Sequence, residues 1–186
     1  MGYRYGFKTE ANNLAREVRA ELKLGVLDRL EPRNLSTLLK IPIISLTELA
    51  TDASAISYLI KNEPEVFSAM TVFRGSRRVI VHNDGHSAPR QNSNLAHELA
   101  HALLLHPPSV AFDSRGCRYW NQDIEDEANW LSGILLVTEE ATIAIAIGQL
   151  SLHDAAWSLG VSNQMIRFRM NATGANKRVK RARGGR

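Results

Sequence analysis

Between Gln91 and Leu105 the chain reads QNSNLAHELAHALLL, and Glu98 is the only formally charged side chain in that stretch. A helix facing solvent carries charge along one side, so this one belongs in the interior with other elements wrapped around it. Pro107-Pro108 stops it. A carboxylate and two imidazoles are costly to bury without partners. His97 and His101 stand four residues apart, which on a helix separates them by ~40° around the axis and ~6 Å along it. Two imidazoles at that separation reach one ion. Zinc takes nitrogen ligands at ~2.0–2.1 Å in a tetrahedron, and catalytic sites keep one position open for water. Glu98, beside the first histidine, can reach that water rather than the metal and take its proton during attack on a carbonyl. The stretch therefore predicts one zinc ion per chain, with His97 and His101 as ligands and Glu98 as the base.

Two histidines leave zinc under-coordinated. The acidic cluster DIEDEANWLSGILL, residues 123 to 136, is the best downstream supply of a third ligand. On the helix that it opens, Glu127 shares a stripe with Ile124, Leu131 and Ile134, whereas Glu125 projects with Asn129 and Ser132 on a polar face. Asp126 is intermediate, aligned with Trp130 and Gly133. A glutamate on an apolar stripe reads as a metal ligand, so Glu127 is the expected third one. The competing account is a first-turn charge favoured by the helix dipole.

The rest of the chain is one ordinary domain with a small appendage. Apolar residues from Ala11 to Val26 recur at three- and four-residue steps and predict a helix from Thr9 to about Leu30. RNLSTLLKIPIISL reads as a short helix followed by a β-like segment. EVFSAMTVF and RRVIVHN form a hairpin around a glycine turn, and NDGHSAPR is loop. TEEATIAIAIGQL alternates like a strand, but Thr138 ahead of two glutamates favours a capped helix. SLHDAAWSLGVSNQMIRFRMNATG reads as helix, glycine turn, helix.

The net charge of +4 is concentrated at the end of the chain. Residues 177 to 186 hold six basic groups and no acidic ones, which leaves 17 basic and 19 acidic side chains before them. Such a tail, 176–186, is expected to be disordered and solvated. The segment before it, 151–175, resembles a helix-turn-helix whose second helix would present Asn163, Gln164, Arg167 and Arg169 to DNA. Weak DNA contact through residues 151–186 is the corresponding expectation. Cys117 is the only cysteine, so no internal disulfide forms. The start of the chain lacks a signal-type apolar core, and no apolar run approaches bilayer length. A soluble cytoplasmic protein is expected, with no membrane partner.

The paired segments NLAHELAHALLLH and EDEANWLSGILL resemble the ImmA/IrrE family of zinc metallopeptidases, over roughly residues 9 to 140. The resemblance implies an α+β, mostly helical zincin-like domain, residues 1–150, with a small, about three-stranded sheet packed on the HExxH helix. It maps zinc binding onto His97, His101 and Glu127, and the base onto Glu98. It also implies a zinc-dependent endopeptidase acting on a helix-turn-helix transcriptional repressor or a similar regulatory protein. The alternative is a DNA- or protein-binding regulator with a structural or catalytically idle metal site. His82, His86, Arg90 and Tyr119 are chemically able to stabilise an oxyanion. His106 is expected to cap or solvate the helix end, and His153 has no assigned role.

Overall fold

The computed structural model describes residues 3–49, 56–58, 60, 65–75, 77–107 and 121–184. It is an α+β fold, mostly helical, with a three-stranded sheet packed on one of the helices. The elements follow the order α1 (Phe7–Glu21), α2 (Pro32–Leu38), β1 (Ile43–Ser45), β2 (Ala69–Arg74), β3 (Arg77–His82), α3 (Ala88–Leu103) and α4 (Gln122–Leu136). Four further helices follow among the described residues: α5 (Glu139–Ala146), α6 (Leu152–Leu159), α7 (Asn163–Thr173) and α8 (Ala175–Gly184). Among the described residues no helix is long and apolar enough to cross a membrane.

The strand order is β1-β3-β2. β1 runs parallel to β3, with Ile43 opposite Ile80. β2 pairs antiparallel with β3, and the predicted hairpin closes at Gly75, whose φ of 62° is the left-handed conformation a tight turn needs. Among the described residues β2 is therefore an edge strand, and helix α3 packs across it and β3.

The main core joins Phe7, Ala11, Ala15 and Val18 of α1 to Leu95, Leu99 and Ala100 of α3 and Ala128, Leu131 and Leu135 of α4. Ala100 and Ala128 are fully buried. Side chains this small let two helix axes approach closely, and α3 and α4 pack on each other more extensively than any other helix pair among the described residues. Asn121 caps α4 by accepting from the backbone N–H groups of Asp123 and Ile124. That cap fixes where the helix begins, and hence which way Glu125 points.

Several expectations change. Helix α1 stops at Glu21, well before Leu30, because Lys23 turns into the left-handed region at φ 57°. The buried Arg19 then ties the following loop down by donating to the carbonyls of Gly25 and Asp28, and also to that of Leu135. Pro89, expected in a loop, lies in the first turn of α3, where a missing N–H costs nothing. The ambiguous segment after Thr138 is helix α5, capped by the Thr138 hydroxyl as predicted.

The basic stretch expected to be disordered is helical as far as Gly184: it forms α8, which begins on a buried Ala175 and packs against α5, with Arg178 paired to Glu139. Its lysines and arginines are good helix formers, and charge alone does not break a helix. Arg169 is not available to DNA. It is 1% exposed and donates from Nε to the Val137 carbonyl at 3.1 Å, with its guanidinium beside the Trp130 ring. Gly133 makes the slot, since a Cβ there would stand 2.9 Å from Arg169 Cδ. Helix α7 thus packs onto the fold, and a second apolar cluster joins Ala96 of α3 to Leu159, Val161 and Ile166. Asn163, Gln164 and Arg167 remain exposed.

Candidate metal and catalytic centre

Helix α3 presents His97 and His101 on one side, with ring centroids 4.7 Å apart and planes 77° from parallel. Their Nε2 atoms face each other at 3.0 Å. Helix α4 brings Glu125 Oε2 to 3.2 Å from His97 Nε2 and 3.7 Å from His101 Nε2. Bonds of ~2.0–2.1 Å in a tetrahedron place ligand atoms ~3.3–3.4 Å apart. The three observed separations bracket that edge, so the donor set fits a small cation such as zinc.

The chemistry of the donors agrees. Two imidazole nitrogens and a carboxylate oxygen aimed at one point repel unless a cation, proton or metal, stands between them. Burial would push the Glu125 carboxyl up, but the His101 and His97 imidazoles hold it well below the ordinary carboxylate range. Burial likewise opposes charge on His97, yet Glu125, the Glu98 charge and Asn129 leave its pKa raised.

Outside the ligand atoms, His97 Nδ1 lies 3.0 Å from Asn129 Oδ1. Donation in that direction leaves the lone pair on Nε2, facing the centre. Asn129 stands one turn after Glu125 on α4, so a single face of that helix supplies both a carboxylate beside the two histidines and the group that orients His97. Glu98, the residue after His97, points toward β2, where the Thr71 hydroxyl donates to its Oε2 at 2.6 Å.

Glu127 is not gathered with the histidines. Among the described residues, the group able to hold a metal is His97, His101 and Glu125. Glu127 accepts from Arg4 Nε at 3.0 Å and lies 3.4 Å from His106 Nε2. The reason is geometric. Two residues on a helix lie ~200° apart, so Glu125 and Glu127 flank the core stripe of Ala128, Leu131 and Leu135 on opposite edges. Periodicity locates the stripe but does not say which edge meets α3. The pairing of Glu125 with a carboxamide one turn later, Asn129, was the signal that could have found it.

His106 is not solvated at the helix end. It is 8% exposed, its N–H closes the helix on the His101 carbonyl, and its Nδ1 lies 2.9 Å from His101 Nδ1. The other candidates lie elsewhere. His82 is buried at the end of β3 with Nε2 3.1 Å from Arg33, and burial followed by the Arg33 charge lowers its pKa. His86 lies 3.2 Å from Asn94, Arg90 is engaged by the Glu65 carboxylate, and His153 is exposed. Tyr119 and Cys117 fall outside the described residues.

With this geometry in hand, comparison with protein families finds one match, a peptidase family described as the IrrE N-terminal-like domain, over residues 44–171. The chain belongs to this family. No curated protein matches the chain. The IrrE N-terminal-like match begins inside β1 and ends inside α7, so the sheet and both site helices fall within it, while Arg4 and α1 lie outside. The domain is thereby of metallopeptidase type, which accords with a metal at the point where the two histidines and Glu125 converge.

Proposed function

We propose that the chain is a zinc-dependent endopeptidase that holds one zinc ion through His97, His101 and Glu125 and uses Glu98 as general base. The observation that carries this reading is the near-tetrahedral spacing of three ligand atoms next to a carboxylate that is not among them. A purely structural site needs no base beside an open position. When bound, zinc supplies Lewis acidity toward a water and toward the scissile carbonyl.

The chain's own residues do the rest. Thr71 fixes Glu98 by one carboxylate oxygen, and the carboxylate removes the water's proton and returns it to the leaving amine. Because Thr71 belongs to the edge strand β2, an extended peptide added along that edge passes beside Glu98. Main-chain hydrogen bonds would then position the scissile bond with little regard for side chains. The favoured substrate is a helix-turn-helix transcriptional repressor or a similar regulatory protein, met inside the cell. Direct DNA contact is a lesser role, confined to the exposed Asn163, Gln164 and Arg167 and the outward basic side chains of α8.

Glu98→Gln tests the mechanism. Zinc affinity should stay within a few-fold of wild type, while cleavage falls by ~100- to 10,000-fold, the usual worth of a general base. Substrate is sought by incubating the chain with helix-turn-helix proteins encoded beside it, with and without zinc, and reading fragments by mass spectrometry. Unchanged cleavage by Glu98→Gln would remove Glu98 from the mechanism.

A further inference from the structure

His106 is buried at a helix end where an apolar residue would serve the core better. Helices α1, α2, α3, α5 and α6 all finish in the same way, with a left-handed residue followed by one whose N–H reaches back five residues. Lys23, Lys40, Leu105, Gly148 and Gly160 hold the left-handed position. The returning bonds are Leu24 to Arg19, Ile41 to Ser36, His106 to His101, Gln149 to Ala144 and Val161 to Ala156. This ending sets the last residue against the side chain one turn and a half before it, and that contact is ordinarily hydrophobic. Leu24, Ile41 and Val161 each pack into an apolar cluster, and Gln149 is exposed. Among these five endings only that of α3 buries a polar residue, and the side chain that it meets is a ligand of the centre.

We propose that His106 and Glu127 are positioning residues for His101, forming a hydrogen-bonded relay from the centre to Arg4; the inference rests on the metal site proposed above. The relay has one consistent arrangement of protons. His101 offers a lone pair at Nε2 only with its proton on Nδ1, and Nδ1–H then donates to His106 Nδ1 at 2.9 Å. His106 must accordingly carry its proton on Nε2, which donates to Glu127 Oε2 at 3.4 Å. Arg4 Nε–H, at 3.0 Å, secures the other oxygen, and Arg4 is itself anchored by both oxygens of Glu10. Reversing any one proton leaves two lone pairs or two hydrogens facing each other. With Glu127 87% buried at its side chain, its charge acts at low screening through both rings. The relay therefore fixes the rotation of His101 and raises the electron density at its Nε2.

The test uses the full chain and two readouts other than turnover: zinc affinity by competition with a chelating dye, and the visible ligand-field spectrum of bound cobalt(II). His106→Leu should bind zinc ~10- to 100-fold more weakly, with a changed cobalt spectrum. His106→Gln, whose amide oxygen can accept from His101 and whose amide nitrogen can donate to Glu127, should recover to within about five-fold of wild type. Glu127→Gln should fall between them. The relay is overturned if His106→Leu matches wild type in both readouts, or if the glutamine variant is as weak as the leucine one, which would mean packing alone. Should His106→Leu fail to fold, Glu127→Gln decides, and an unchanged affinity there overturns the proposal. A wild-type chain that binds neither ion would instead defeat the metal centre, and the relay with it.

Discussion

His97 and His101 present the same atom to the same point, yet they are held from opposite directions. His97 is steadied by Asn129, so its orientation depends on the packing of α4 against α3. His101 is steadied by His106, five residues on in the same chain, so its orientation depends on how α3 ends. One imidazole is set by tertiary structure and the other by a local turn. A site built in this way loses its two imidazoles to different kinds of damage.

The largest expected effect breaks the centre itself and separates the two carboxylates of α4. Structural zinc sites bind with ~10–16 kcal/mol shared over four ligands, so Glu125→Ala should weaken zinc by more than ~100-fold. Glu127→Ala, removing a residue that reaches the centre only through His106, should cost clearly less in the same calorimetric titration. Equal losses would erase the distinction between the two edges of the helix.

Next in size is the support of His97. Asn129→Leu should weaken zinc by ~10- to 100-fold, because the ring loses the acceptor that selects its tautomer. Combined with His106→Leu, the losses should multiply, since the two supports act on different imidazoles. A double variant no weaker than either single one would show that both act on a common element.

The smallest effect concerns the turn that carries His106. Leu105 holds φ 54° and is 81% exposed, so its side chain gains almost nothing from the position. A non-glycine residue in that region is strained by ~1–3 kcal/mol, part of which glycine returns as entropy of the unfolded chain. Leu105→Gly should raise stability by ~0.5–1 kcal/mol, seen as a slightly higher Tm, with zinc affinity unchanged. A fall in affinity would mean that the strained residue, not the hydrogen-bond pattern, sets the place of His106.

What could be read from the residues follows the same division. The spacing of His97, Glu98 and His101 and the lack of other charge placed them on one interior helix, and the hairpin and the Thr138 cap were readable from local pattern. Glu127 and Glu125 could not be told apart from the residues, because an amphipathic pattern has two equivalent edges, and only packing sets Glu125 beside the histidines. His106 was missed for another reason: a left-handed turn at leucine has no compositional mark, whereas glycine would have announced it. Helix α8 lies where the charge run predicts disorder, because charge composition does not register ten residues with no internal breaker.

The edge position of β2 among the described residues bears on what the proposed peptidase could cut. An edge strand accepts a partner only as extended chain, so a bond inside a folded helix cannot be offered there until that helix comes undone. Under the proposed function, the choice of target is then partly a matter of the target's own stability. A linker or a briefly unfolded segment would be cut, while the same residues locked in a packed domain would pass untouched.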